Sequence, residues 1–542
     1  MSRLVNLWLL MALLTSSSCT GTDSSSQNPP PSASTPTTSK AGGCEDLAAL
    51  VRRVQRGHVL GAAPDVSYIP RAPNYVGVPF RPTHSGPWPY VNNVPLVIYG
   101  PPFVEPRGEV NMPATMADVA PTVARIVGFG GWPDRAGRAL VEGLNIERSP
   151  RLVATIVWDG GGNNVLSQHR DQWPFLASLM SRGISYSHMT VGSSPSVTPP
   201  VHVTLGTGSW PAKHGIHAIQ QRLDGELFGD PLLNLDPSAI RVPTLADLYD
   251  RARGNAPITA MLASSNWHLG MIGHGTQFEG GDRDPVVLID EDGFTFTNES
   301  IFSLPSIGNR SFLLRLVDRL DLSDGEADGA WNGDDLFGGD SLEDVLTKKG
   351  NPARVKYEQW LLEQFIRRER LGADRVPDLL FVNFKAADEA GHRWGMTSEQ
   401  VSAVVGEQDR ALRRLVSVLN SVVGRERWVL IVTADHGQTP LPKESGAWAI
   451  SADELVKDAN RELDRADNER ALVTQALPSG VYLDQDELRS NGVSKRTVAG
   501  WLASYTVGDN ATDPVPGGWR GREDEELFDV VLIGRRPVHR AC

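Results

Sequence analysis

The chain has 542 residues, 22% charged and 40% hydrophobic. That length and balance allow a large core or two domains and exclude a fibre or a wholly disordered chain. The formal charge of -13 repels nucleic acid and anionic lipid surfaces at long range, so no nucleic-acid duplex is expected as a partner, although a local cationic metal site can still draw in phosphate.

In chain order, Met1-Ser-Arg precedes an apolar run from Leu4 to Leu14 and then Thr15-Ser-Ser-Ser-Cys19. This is the layout of an export signal, too short for the roughly 20 apolar residues of a permanent membrane span. The small residues before Cys19 resemble a bacterial lipobox, although Ser16 stands where Leu is usual. Lipid attachment at Cys19, giving a surface-anchored protein, and plain secretion or periplasmic release both stay open. Residues 20–43 are Ser, Thr and Pro with almost no apolar content, so a disordered tether is expected there. The folded part is expected to run from 44 to 542 as one domain. Cys44 and Cys542 are its two cysteines, and in an exported chain they are expected to pair.

Residues 44–150 carry α/β material, including VPLVIYGP at 94–101 and MADVAPTVARIVGFGG at 116–131. From 150 to 440, β-rich runs alternate with amphipathic stretches: LVATIVWD, WPFLASLMSRG, DLLFVNF, EQDRALRRLVSVLNSV and WVLIVTADHG. That alternation predicts a doubly wound α/β sheet. The stretch 276–375, rich in Asp and Gly, reads as an insertion or cap, with FTFTNESIFSLP as an edge strand or lid. Within it Asp324, Glu326, Asp328, Gly329 and Asp335 stand near the positions of a calcium loop, with a solvated acidic loop as the plain alternative.

Open α/β sheets place their sites at the carboxyl ends of the strands. Asp159, Asp388 and Asp435-His436 fall at or just after such ends, with Thr198 in SVTPPVHVTLGTG and His392 in DEAGH. Carboxylates and imidazoles from several strand ends suit divalent metals. Two metals can clamp the attacking and leaving oxygens of a phosphoester, and a bound metal activates a threonine hydroxyl. His202, His214 and His217 are read as residues that pack and hydrogen-bond rather than ligate. Asp409 is read as a support for a ligand imidazole or as part of a solvated helix face. Trp158 and Trp210 are read either as stacking platforms or as core.

The segments TIVWDGGG, SVTPPVHVTLGTGSWPAKHGI, ADEAGHRWG and VTADHGQT resemble, in order and spacing, the type I phosphodiesterase and nucleotide pyrophosphatase branch of the alkaline phosphatase superfamily. The resemblance spans 152–440. It implies a three-layer α/β sandwich and a phosphoester hydrolase with two metal ions, zinc by preference. It further implies Asp159, Thr198, Asp435 and His436 at one metal, Asp388 and His392 at the other, and a phospho-threonine on Thr198. The family's closing histidine block is missing downstream, where His539 in RRPVHRAC lacks its context. It is matched instead upstream by Thr83-His84-Ser85-Gly86. A circular permutation, with His84 completing the second site, is therefore expected, and Cys44 and Cys542 would lie at the joined ends. His539 and His274 are the substitutes.

Phosphomonoesterases of this superfamily resemble one another in a Lys-Asp-Arg stretch, where this chain has Asn266-Trp267-His268. Asn266 and His268 are taken as substrate-binding positions, and the lack of strong cations there points to a singly charged diester or pyrophosphate. Val201 stands where the nucleotide pyrophosphatases have Asn, which weakens a nucleotide assignment. A phosphomonoesterase, a sulfatase-like hydrolase and a non-catalytic exported binding lipoprotein are the other readings. Thr198 lacks the C/S-x-P-S-R context of a sulfatase.

Overall fold

The computed structural model describes residues 44–223, 228–290, 292–307, 310–321, 350–466, 468–512 and 515–540. The export signal, Cys19, the tether, the 324–335 loop and Cys542 lie outside the described residues. Residues Cys44–Cys542 cluster as one unit.

Nine strands form the central sheet: β1 Leu96–Tyr99, β2 Gly108–Thr115, β3 Leu152–Trp158, β4 Ile184–Thr190, β5 Thr259–Ala263, β6 Val286–Ile289, β7 Thr295–Phe296, β8 Asp378–Phe384 and β9 Trp428–Thr433. Their order is β7-β6-β5-β8-β3-β9-β1-β4-β2. The run β6-β5-β8-β3-β9 is parallel, whereas β1 lies antiparallel to both β9 and β4. Every residue of β3 is buried, and alternate side chains enter opposite layers. Ala154, Ile156 and Trp158 join one apolar cluster, while Val153 and Val157 join the other. Burial on both faces is what a parallel sheet with helices on each side requires.

The helices that matter here are α1 Pro174–Arg182, α2 Thr198–Thr207, α3 Leu245–Ala252, α4 Pro352–Arg368, α5 Ala386–Trp394 and α6 Glu399–Leu419. Helix α6 sends Val401, Val404, Leu412 and Leu415 into the first cluster, and α2 sends Val201, Val203 and Leu205 into the second. The chain is thus the expected α/β sandwich.

Two parts of the molecule differ from the sequence expectations. The described portions of 276–375 join the main sandwich: β6 runs parallel beside β5, α4 packs its Val355, Leu361 and Phe365 into the core, and β7, within FTFTNESIFSLP, is the sheet's edge strand, the first of the two roles read for that segment. Apolar runs such as VVLI can be buried only by joining an existing layer, and they join this one. A second, antiparallel sheet of five strands was not anticipated. Its middle strand, Val66–Pro70, lies between Gly480–Leu483 and Phe528–Ile533, so early and late segments share one sheet. Among the described residues no helix is long and apolar enough to cross a membrane.

Candidate metal centre

The carboxyl ends of β3, β8 and β9 meet at one point. Asp159 follows β3 directly, and the turn after it depends on glycine. Gly160 has φ +67°, and a Cβ there would lie 2.8 Å from Asp388 Cα, so the bare backbone lets the two carboxylates approach. Asp388 occupies the first turn of α5 and His392 lies one turn later on the same face. Asp435 and His436 follow β9, and Gly160 N–H donates to Asp435 Oδ1 at 3.0 Å. Thr198 opens α2 and is 2% exposed.

His84 arrives from a loop far upstream that is fastened at several points. Thr439 Oγ1 donates to Thr83 O (2.7 Å) and Ser196 Oγ to His84 O (2.7 Å). His84 Nδ1 donates to Ser196 O at 2.9 Å, which leaves Nε2 as the free lone pair, 3.7 Å from Asp388 Oδ1. The His84 ring stacks on His436 with centroids 3.5 Å apart.

Two groups of donor atoms result, each mutually within 4.8 Å: His84, Asp388 and His392, and Asp159, Asp435 and His436. Asp388 Oδ1, Asp435 Oδ2 and His436 Nε2 are buried without a hydrogen-bond partner. Polar atoms so placed are costly unless a cation joins them, and carboxylate with imidazole is the donor set of a divalent ion such as zinc. The electrostatics agree. Burial, reinforced by His436, drives His84 well below the imidazole range, so it is neutral and able to ligate. Burial and the neighbouring Asp159 push Asp435 well above the carboxylate range, against the opposing pull of Lys385.

Several residues escaped the sequence reading. Lys385, at the junction of β8 and α5, places Nζ 2.8 Å from Asp159 Oδ1, 2.8 Å from Asp388 Oδ2 and 3.1 Å from Thr198 Oγ1. Burial works to raise Asp159 and Asp388, but Lys385, joined by His268 and His436 at Asp159 and by His392 and His436 at Asp388, outweighs it and holds both low. The carboxylates in turn keep the ammonium charged against its own desolvation. The clue was present in FVNFKAAD, where one lysine interrupts a buried run. Asn383 Nδ2 reaches Asp159 Oδ2 (3.1 Å) and His202 Nε2 (3.2 Å). His202 hydrogen-bonds to Thr198 O as read, and it also forms a third donor group with Asp159 and His268, which was not.

Other assignments change. Asn266 is committed to structure, its amide donating to Asp230 Oδ2 (2.9 Å) and Leu232 O (2.8 Å). His268 is fully buried against Asp159 Oδ2 at 3.3 Å. Asp409 supports no imidazole and is no solvated face: it is 3% exposed and accepts the N–H groups of Phe175 and Leu176 at the start of α1. His214 pairs with Thr204, and His217 with Gly57 O and Ser479. Trp158 is core, and Trp210 lies under the Arg56 guanidinium. The aromatic ring beside the centre is Trp267, in a cleft lined also by Asp230, Glu389 and Lys385. His274 is held by Asp247 and Ile240 O, and His539 stands opposite Val531 in the five-stranded sheet.

Aspartate and histidine gathered at parallel strand ends around a helix-initial threonine define an alkaline-phosphatase-like metallohydrolase centre. The sequence model described as type I phosphodiesterase / nucleotide pyrophosphatase matches residues 153–536. The chain belongs to that family, a family of phosphoester hydrolases within the alkaline phosphatase superfamily. Among curated proteins it is similar to alkaline phosphatase PhoD of Zymomonas mobilis, 22% identical over 341 residues, covering 57% of each chain. It is also similar to alkaline phosphatase PafA of Elizabethkingia meningoseptica, 26% identical over 160 residues, covering 28% of this chain and 29% of that one. The chain thus spans between a quarter and three fifths of the length of these relatives. The crystal structure of wild-type PafA superposes with a TM-score of 0.50 at 15% identity, covering 71% of this chain and 84% of that one, a likeness of fold.

Proposed function

We propose that the protein is an exported phosphoester hydrolase that carries two divalent ions, zinc at both sites, and transfers the phosphoryl group to Thr198. The observation that carries this reading is the set of buried, unpartnered donor atoms on Asp388, Asp435 and His436 beside Thr198. Asp159, Asp435, His436 and Thr198 would hold one ion, and Asp388, His392 and His84 the other. When bound, the ions stabilise charge on the attacking and leaving oxygens and activate hydroxyl and water.

The chain's own residues supply the positioning. Helix α2 aims Thr198 Oγ1 at the centre, and Lys385 orients that oxygen through a 3.1 Å hydrogen bond. Attack forms the Oγ1–phosphorus bond as the leaving-group oxygen departs and the hydroxyl proton passes to solvent. Water then cleaves the phospho-threonine to phosphate and free Thr198. The partner is a small phosphoester, with membrane contact through a Cys19 lipid anchor alone. Residues 44–150 are read as the family's closing block moved to the front by circular permutation, a reading supported by the seat of His84 against His436 and Asp388.

The diester or pyrophosphate expectation is a charge argument built on Asn266 and His268, and it counts no cation beside the nucleophile. Lys385 is such a cation, and it favours a second reading, phosphomonoester hydrolysis. The test compares wild type and Thr198→Ala, with and without chelator, on bis-p-nitrophenyl phosphate, p-nitrophenyl phosphate and p-nitrophenyl sulfate. Turnover of a phosphate ester should vanish in the variant and with chelator. Chelator-insensitive turnover, full activity in Thr198→Ala, or a preference for the sulfate would refute the proposal.

A further inference from the structure

Lys385 is more than a structural counter-ion. Its side chain is 5% exposed, and its three ammonium hydrogens have three acceptors: Asp159 Oδ1, Asp388 Oδ2 and Thr198 Oγ1. The two carboxylates come one from each candidate metal group, so the amine stands between the groups with its third bond on the attacking atom. A phosphorus atom bonded to Oγ1 would bring its nonbridging oxygens into the reach of Nζ, and the ammonium hydrogen on Oγ1 would turn to one of them, because a charged phosphoryl oxygen is a stronger acceptor than an ester oxygen.

The other groups that could grip those oxygens are depleted in this chain. A helix N-terminus normally offers free N–H groups to a phosphate, but α2 begins Thr198-Pro199-Pro200, and proline has no N–H. Val201 is fully buried and apolar. The Asn266 amide is occupied by Asp230 and Leu232, and His268 faces Asp159. Among the described residues Arg81 lines the outer cleft with His84, His392 and Val197, whereas Lys385 is the cation hydrogen-bonded to the nucleophile itself.

Resting on Thr198 as the nucleophile, we infer that Lys385 is a catalytic residue that binds the transferring phosphoryl group and directs the site toward dianionic phosphate monoesters. The Coulomb energy of one ammonium is proportional to the charge it faces, so a dianion gains about twice what a monoanionic diester gains. The expected losses on removing Lys385 therefore differ as powers. Loss of one donor aimed at developing charge costs about 10²–10³ in rate. A monoester loss of about 10³-fold would accompany a diester loss of only about 30-fold.

The experiment uses the metal-loaded wild-type protein, Lys385→Met, which keeps the length of the side chain without its charge, and Lys385→Arg. It reads kcat/KM on p-nitrophenyl phosphate and bis-p-nitrophenyl phosphate, metal content per chain, and calorimetric binding of inorganic phosphate. Wild type should prefer the monoester. Lys385→Met should keep both metals, bind phosphate at least about 100-fold more weakly, and lose most on the monoester, with partial rescue in Lys385→Arg. Equal losses on the two esters, unchanged phosphate affinity, a wild-type diester preference, or loss of metal from Lys385→Met would overturn the inference. Thr198→Ala run in parallel separates the two levels. If it stays active, the nucleophile assignment fails; if it is dead while Lys385→Met discriminates nothing, only the role of Lys385 fails.

Discussion

Replacing His84 by alanine removes three things at once. The ring's Nε2 is one of three donors in the group it forms with Asp388 and His392, its Nδ1–H satisfies Ser196 O at 2.9 Å, and its face packs 3.5 Å from His436. Residue 84 is 7% exposed, so the orphaned Ser196 carbonyl alone costs about 1–3 kcal/mol. The larger effect falls on metal. Outer partners of a ligand are worth about 10–100-fold in affinity, so losing the ligand itself should weaken the second ion by at least about 100-fold and withdraw about 2.7 kcal/mol of metal-linked stability. After dialysis against a weak chelator, mass spectrometry should find two ions per chain in wild type and one in the variant. Turnover should fall about 10²–10³-fold. Melting curves in excess metal separate the folding cost from the ligation cost. His539→Ala, on the last strand of the other sheet, should leave metal and turnover unchanged. A His84→Ala protein with two ions and full activity, or a His539→Ala protein that loses one, would refute both the ligand assignment and the permutation.

Two further outcomes follow from buried acids outside the centre. Asp409→Ala should cost about 1–2 kcal/mol in denaturant unfolding, the worth of a helix cap that satisfies two N–H groups, while leaving kcat/KM unchanged; a fall in metal content would tie Asp409 to the centre after all. Asp250, which lies in a group with Asp282 and Asp284, is raised from 3.8 to about 7 by burial and then by Asp282. Because the folded state binds this proton more tightly, its stabilisation is complete below about pH 4 and is lost as pH rises through about 7. Between pH 5 and 8.5 Asp250 should therefore withdraw at most about 3 kcal/mol from wild type, whereas Asp250→Asn should decline less steeply, Asp284 and Asp378 also being raised by burial, and exceed wild type at pH 8.5. A parallel decline in both proteins would show that Asp250 does not carry the effect.

The parallel core was legible because its strands are buried on both faces and read as continuous apolar runs, and Asp159 and Asp435 declare themselves just past two strand ends, Asp388 in the helical turn after a third. His84 was legible through the short context around it. The places of Lys385 and Asn383 were not, because a lysine at a strand end is ordinarily solvated, and its position in the apolar run FVNFKAAD does not name the two carboxylates that bury it. The same limit produced the misreading of Asp409, whose helix carries acids on its exposed and buried faces alike. It also explains Asn266, whose partner Asp230 is 36 residues away.

The sequence by itself determined the fold class and the chemical types at the centre, since periodicity and strand-end residues are local properties of the chain. Tertiary structure alone decided which residues meet. Long-range contacts within the chain bring His84 onto His436, 352 positions later, and seat the Lys385 ammonium on Thr198, 187 positions earlier, because packing in space and not spacing in the chain sets the distance between side chains.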